Sequence, residues 1–277
     1  MTRQPAITDL LRPDGEGAIL PGIDPRSTPG VDDRGAAEAE LPALADRLDE
    51  LQERLWVESS RSLLVVLQGM DTSGKGGTVR HVFSSMNPAG VEVASFKKPT
   101  EEELAHHFLW RIEQRLPLPG EVTVFDRSHY EDVLVVRVRS LVPEDVWRAR
   151  YREIVAFEER VAAAGTTIVK CMLHISYDEQ RERLLARLDD PSKHWKFHEA
   201  DIEERTRWQD YQAAYEAAIR ECSTETAPWF VIPADRKWYR NWAISKLMVE
   251  TLEAMDPQLP RPDLDVEALK ARLQPPN

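Results

Sequence analysis

Cysteine is nearly absent from this chain: Cys171 and Cys222 are the only two in 277 residues. Two thiols so far apart make neither a disulfide framework nor a cysteine-bound metal cluster, and Cys171 lies in an apolar run that marks it as a core residue. Long apolar runs are missing too, since none approaches the roughly 20 residues that cross a bilayer. The opening residues MTRQPAITDLLRPDGEG lack the apolar centre of a secretory leader. A cytoplasmic location without membrane attachment is therefore expected. Positive charge is in deficit. The formal net charge is −12, which argues against nucleic acid as a partner. No internal repeat and no G-x-G-x-x-G dinucleotide fingerprint is present. What remains is ordinary globular material, 42% hydrophobic and 30% charged, sufficient for the core of one large domain.

The stretch that organises this material is SLLVVLQGMDTSGKGGTVR, residues 62 to 80. Leu63 to Leu67 form a short apolar run of the kind found in a buried strand. A glycine-bearing turn follows, then a segment able to become helix. Across the turn runs Gly69-x-x-x-x-Gly74-Lys75, the phosphate-cradling pattern. Its glycines let the backbone aim several N–H groups at one anion, the helix adds its positive end, and Lys75 adds a full charge. Thr72, Ser73, Gly76, Gly77 and Thr78 complete the candidate cradle. One position departs from the usual pattern. Gly76 stands where a Ser or Thr normally holds magnesium, and Thr78 comes too late for that role, so a metal must be held otherwise. Asp71, an acid among phosphate-binding amides, is the natural candidate.

A second apolar run, Glu121 to Phe125, ends in Asp126-Arg127. A carboxylate at the end of such a strand lies at the carboxyl edge of the sheet, where it can hold magnesium directly or through water. Arg127 can grip phosphate with its fork. Further strands are expected at Val91–Phe96, Thr166–Leu173 and Trp229–Ile232, alternating with helices, and the count predicts a mostly parallel five-stranded sheet covered on both faces. Leu41, Leu44, Leu48, Leu51 and Leu55 predict an amphipathic helix over residues 37 to 58, with Pro42 in its first turn, its stripe usable for the core or for an oligomer interface. Thr100 with Glu103 predicts a capped helix running on through His106 and Trp110 to near Pro117, and Ile202 to Cys222 reads as one long helix. Residues 11 to 35 are poor in periodicity and read as part of a mobile arm, and the proline-bearing tail from Asp256 reads as peripheral.

Residues 187 to 201, RLDDPSKHWKFHEAD, are polar and basic with embedded aromatics. They read as a lid whose Arg187, Lys193 and Lys196 reach toward an anionic substrate, against the plainer reading of a solvated connection. Lys97-Lys98, Arg137 with Arg139, and Arg236-Lys237 with Arg240 are other local gatherings of positive charge that could meet phosphate, against the plainer reading of basic residues scattered over a surface. Together Asp71, Lys75, Asp126 and Arg127 imply phosphoryl transfer, with magnesium between the two acids. Asp71 could instead orient or deprotonate an acceptor oxygen. A kinase of small phosphorylated molecules fits this set better than a motor or a switch. An ordinary ATP-dependent nucleotide or small-molecule kinase and a non-catalytic binding protein are the alternatives.

The residues also resemble a known family, polyphosphate kinase family 2. The likeness rests on GMDTSGKGGTVRHVFSSMNPAG (69 to 90), SFKKPTEEE (95 to 103), FLWR (108 to 111), DRSHYEDVLVVRV (126 to 138), RLDDPSKHWKF (187 to 197) and PWFVIPADRKWYRNW (228 to 242). It covers most of residues 40 to 255 and is most similar to the subgroup called class III, whose members act on both nucleoside monophosphates and diphosphates. The resemblance implies a phosphate-loop three-layer α/β fold like that of thymidylate kinases, with a helical lid over about 187 to 204, in a kinase domain spanning 36 to 256 between an arm (1 to 35) and a tail (257 to 277). It implies reversible transfer of the terminal phosphoryl group of inorganic polyphosphate to AMP and ADP, with Mg2+ or Mn2+, and leaves guanine nucleotides open. Asp71, Lys75, Asp126, Arg127 and Arg187 match the family's catalytic positions, and Lys193 and Lys196 its basic lid residues. Glycine after the loop lysine is the family's own pattern. Assembly as homodimers or homotetramers is implied as well.

Overall fold

The structure, a computed structural model, describes residues 5–13 and 19–273. Its centre is a sheet of five strands, β1 (Ser62–Gln68), β2 (Val91–Ser95), β3 (Val122–Asp126), β4 (Thr166–His174) and β5 (Trp229–Pro233), in the order β2-β3-β1-β4-β5. Every pairing is parallel, so the expected mostly parallel sheet is parallel throughout. Val65 sits at its centre, opposite Val124 on one side and Val169 on the other. All seven residues of β1 are buried. A strand covered on both faces has no solvent side, which is why its sequence is a continuous apolar run rather than an alternation.

The helices are α1 (Ile7–Leu11), α2 (Arg34–Glu58), α3 (Lys75–Val82), α4 (Glu101–Leu104), α5 (Trp110–Glu113), α6 (Val135–Val138), α7 (Glu144–Ala163), α8 (Tyr177–Leu188), α9 (Ala200–Thr206), α10 (Trp208–Cys222), α11 (Lys237–Met255) and α12 (Val266–Arg272). α11 packs on α2 and α3, while α10 packs on α7, which lies against β4. Right-handed crossovers explain the two groups. The chain leaves β1 toward β2 in one direction and leaves β3 toward β4 in the other, so the connecting helices fall on opposite faces. β1 and β3 are neighbours with diverging connections, and the crevice at their carboxyl ends is the topological switch point where α/β sheets bind ligands.

α2 starts at Asp33, whose carboxylate accepts from Ala36 N at 2.9 Å. Pro42 therefore lies inside the helix, not in its first turn. The helix persists through the lost hydrogen bond because Leu44, Leu48, Leu51 and Leu55 are buried. Polar ties to α11 help: Trp242 Nε1 donates to Glu40 at 2.6 Å and Arg47 to Glu253 at 2.9 Å. The leucine stripe is thus spent within the chain, on α11.

The stretch read as a mobile arm is packed over its described residues. Ile7, Leu11, Ile19 and Leu20 are buried. Glu250 accepts from Ile7 N and Thr8 N, Glu216 from Ile19 N and Leu20 N, and Tyr239 donates to Pro29 O at 2.9 Å. Side-chain acceptors on α10 and α11 replace the internal periodicity that the arm lacks. Residues 1–4 and 14–18 of the arm and 274–277 of the tail lie outside the described residues; the described tail is exposed beyond Pro257 and carries α12. The helix expected from Thr100 to Pro117 is two short ones. The capping box of Thr100 and Glu103 is present, but His107 Nδ1 accepts from Leu109 N. Such local side-chain bonds compete with helical ones. The helix expected over 202 to 222 likewise breaks at Arg207 (φ −98°, ψ 21°), whose side chain donates to Val138 O.

Candidate active site

The loop after β1 owes its shape to positions that few residues tolerate. Gly69 has φ +148°, and a Cβ there would lie 2.7 Å from Leu173 O. Thr72 and Arg127 adopt positive φ (67° and 63°) without being glycine, a strain that the surrounding structure must hold in place. α3 begins at Lys75, so the loop delivers the helix's free N–H groups to the carboxyl edge of the sheet. Lys75 is buried and its ammonium donates to Gly69 O at 2.7 Å and Met70 O at 3.4 Å.

Across the crevice, Asp126 pairs in register with Leu67 and Arg127 N donates to Leu67 O. The strand pairing therefore brings the second acid beside the loop. Arg127 donates to Asp71 Oδ1 at 2.8 Å. Burial pushes the Asp71 carboxyl up, but Lys75 and Arg127 outweigh it and hold the group below the ordinary carboxylate range. Burial and Arg127 lower Lys75 against the pull of Asp71, Asp126 and Glu131. Arg127 is raised, the charges of Asp71, Glu131 and Asp126 outweighing desolvation.

Several buried polar atoms here have no hydrogen-bond partner: Thr72 Oγ1, Ser73 Oγ, Thr78 Oγ1 and Gln68 Oε1. Orphaned buried hydroxyls are costly, and their concentration around one loop fits a site shaped for a polar ligand. The donor set also fits a hard divalent cation. Magnesium is usually held by one or two carboxylates together with substrate phosphate oxygens, and Asp71 and Asp126 offer that number. Among the described residues no group of three or more His, Cys, Asp or Glu is placed to enclose a metal without substrate.

The other expected residues are distributed differently. Gly69, Thr72, Ser73, Gly74, Gly76, Gly77 and Thr78 all belong to the loop and the first turn of α3. Arg187, on the last turn of α8, donates to Lys196 O at 2.9 Å and Asp201 at 3.3 Å, and its charge still helps to lower Asp71. Lys193 is paired with Asp190 at 2.7 Å, and Lys196 lies over its neighbour Trp195. The lid lysines are thus turned onto their own segment. Arg137 is turned onto Tyr151, 3.1 Å away, and over the Trp147 ring.

Sequence reasoning missed two groups. Glu131, on the turn after β3, acts electrostatically on Lys75 and Arg127, and its carboxyl is pushed up by desolvation despite them and a hydrogen bond from Gln68. An acid two turns of chain past the strand carries no motif of its own. Arg183 of α8 donates to Thr72 O at 2.8 Å and Ser73 O at 3.1 Å. Its only local signal is the Glu179 four residues earlier, a spacing common on exposed helices. The arrangement as a whole can grip polyanionic phosphate, balance its charge and align two phosphate-bearing groups.

Comparison with known proteins gives the same direction. The sequence model of Polyphosphate kinase 2 (PPK2) matches residues 32–260. The chain is 54% identical over 262 residues to the AMP/ADP-polyphosphate phosphotransferase of Meiothermus ruber, covering 94% of this chain and 97% of that protein. It is 44% identical over 248 residues to the ADP-polyphosphate phosphotransferase of Rhodopseudomonas palustris, covering 84% and 86%. The crystal structure of polyphosphate kinase 2 from Arthrobacter aurescens TC1 superposes with a TM-score of 0.94 at 47% identity, over 99% of this chain and 98% of that one.

Proposed function

The chain belongs to the polyphosphate kinase 2 family, and on that premise we propose that it transfers the terminal phosphoryl group of inorganic polyphosphate to AMP and to ADP, with a divalent cation. The observation that supports this most is that Asp71, in the loop after β1, and Asp126, at the end of the neighbouring β3, both act on the charges of Lys75 and Arg127. Two carboxylates and two cations at one switch point suit a reaction that needs alignment and charge balance more than covalent help.

The acceptor is a nucleotide phosphate oxygen, ionised already at neutral pH, so no residue needs to take its proton. Asp71 is a poor base in any case, because Lys75 and Arg127 keep it ionised well below neutral pH. We therefore assign Asp71 and Asp126 to the cation, Mg2+ or Mn2+, which when bound neutralises phosphate oxygens. Lys75 and the loop amides grip the donor or acceptor phosphates, Arg127 spans Asp71 and the transferring group, and Arg187 reaches it from the lid over about 187 to 204. Lys193 and Lys196 exchange their local partners for polyphosphate oxygens as the lid closes and excludes water.

The test is a product assay on purified protein with Mg2+ and long-chain polyphosphate, offering AMP alone and ADP alone and resolving nucleotides by chromatography. ADP followed by ATP from AMP, lost on adding chelator, is the expected result. ATP from ADP alone would remove the monophosphate acceptor. Product only when ATP is the added donor would replace polyphosphate by an ordinary nucleotide kinase reaction.

A further inference from the structure

Two arginines lie behind the phosphate loop, and they differ in how their charge is met. Arg183 is fully satisfied. Its Nη1 donates to Thr72 O and Ser73 O, its Nη2 to Ala234 O (2.6 Å) and Asp235 O (2.9 Å), and its Nε to Glu179 (2.7 Å). These use all five guanidinium donors and tie the loop to the end of β5, with a carboxylate to balance the charge. Arg240, on the first turn of α11, is 3% exposed. Its donors reach only Ser73 O at 3.4 Å and the neighbouring Asn241 Oδ1. Among the described residues no carboxylate stands within ion-pair distance, and the nearest charge that acts on it is Arg183, another cation. Burial and Arg183 push its pKa down to about 10, so it is still a cation at neutral pH.

The guanidinium lies close against the loop. A Cβ on Gly74 would lie 1.7 Å from Arg240 Nη1, and one on Gly77 3.0 Å from Nη2. The absence of side chains at both positions is what lets this charge approach within one layer of backbone. Gly76, where the usual phosphate loop carries its hydroxyl residue, has open space around it, so the room for this cation comes from Gly74 and Gly77 and not from that departure. A methionine-like side chain would fill the same space without the desolvation cost of an unmatched charge. An anion held by the loop would offset that cost.

We propose that Arg240 is a positioning residue of the phosphate site, a buried cation that acts through the backbone of Gly74 and Gly77 and is matched only when substrate phosphate occupies the loop. The inference rests on the phosphate-transfer function proposed above. It makes the loop's affinity for phosphate depend on a residue that never touches it, and it makes the ligand-free protein carry an electrostatic strain that binding relieves.

The test compares wild type with Arg240→Met and Arg240→Lys by calorimetric titration with inorganic tripolyphosphate and with ADP, and by thermal melting without ligand. Arg240→Met should bind tripolyphosphate at least about tenfold more weakly, the effect of a unit charge ~6 Å away at an effective dielectric of about 40. Its ligand-free Tm should equal or exceed that of wild type, and Arg240→Lys should recover most of the affinity. If Arg240→Met does not fold, Arg240→Gln, which keeps a donor for Ser73 O, takes its place in the comparison. Unchanged affinity in the neutral variants would overturn the inference and leave the function standing. So would a lowered ligand-free Tm in Met, Gln and Lys variants alike, which marks a purely structural role. A wild type that binds neither ligand would remove the proposed function and this inference together.

Discussion

Replacing Lys170 by methionine should destabilise the protein severely, and the cost can be worked from the groups around it. Lys170 of β4 is fully buried beside Glu158 of α7, which is 1% exposed. Its ammonium donates to Glu158, to Tyr130 Oη at 2.9 Å and to Cys222 O at 2.7 Å, so all three donors are used. Glu158 also meets Tyr130 Oη at 2.9 Å and His129 Nε2 at 3.1 Å. Lys170→Met leaves a buried carboxylate without its lysine partner, a loss of about 3–5 kcal/mol, or a fall of about 6–20 °C in Tm at 2–4 °C per kcal/mol. The Lys170→Met, Glu158→Gln double variant removes both charges and should recover much of this, leaving about 1–2 kcal/mol for unmatched hydrogen bonds.

pH adds a second signature. In the wild type burial raises the Glu158 pKa, but Lys170 and His129 outweigh it and the net is a depressed value. Its contribution is therefore complete above the unfolded carboxyl pKa of ~4.3 and is lost as pH falls through the lower folded value. Without Lys170 the folded pKa rises above the unfolded one, so the single variant's deficit should be greatest at neutral pH and shrink as pH falls toward ~4. Urea denaturation across that range measures it. A Lys170→Met loss under about 1 kcal/mol at pH 7, or a double variant no better than the single, would refute the reasoning. His129 and Tyr130 follow Asp126-Arg127 closely in sequence, so the cluster also holds the turn on which those two residues depend.

Asp71→Asn and Asp126→Asn should each cut turnover by at least about a hundredfold while far-UV circular dichroism stays near wild type; robust turnover in either purified variant would remove its assigned role. The ion pair with Arg127 gives Asp71 a further reading. Its depressed folded pKa means that its share of stability is present above ~3.9 and is lost only as pH falls through the lower folded value, which acid titration of the D71N variant against wild type would reveal. Arg187→Ala should lower kcat more than it raises KM for nucleotide if, as proposed, it meets the transferring group when the 187 to 204 segment closes; equal losses in both would recast it as a simple binding residue.

Much of the site was legible because its signals are local. Gly69, Gly74 and Lys75 sit within one turn of chain, and the φ of +148° and +111° at the two glycines is a demand that sequence pattern expresses directly. Asp126 was legible for the same reason, an acid closing an apolar run. Glu131 and Arg183 were not, each being an ordinary residue in its own neighbourhood. Arg240 was legible only as one of a basic gathering with Arg236 and Lys237, and the fold alone brings it to the loop. Residues 187 to 201 were legible as a polar, basic segment, but not the partners their cations take: Lys193 on Asp190, Lys196 over Trp195, Arg187 on Lys196 O.

The fold divides along the same line. The amino-acid sequence by itself determined five strands, most of the helices between them, the loop after the first strand and the acid after the third. Those follow from apolar periodicity, glycine and capping chemistry, all of which act over a few residues. Tertiary structure alone decided that the strands lie in the order β2-β3-β1-β4-β5, which sets Asp126 beside the loop. It alone decided that the arm is bound by Glu216 and Glu250, that Pro42 is tolerated in mid-helix, and that an unmatched arginine from α11 lies under Gly74 and Gly77. These depend on groups brought together from 59 to 243 residues away in the chain, where solvation and electrostatics act through space and leave no trace in local pattern.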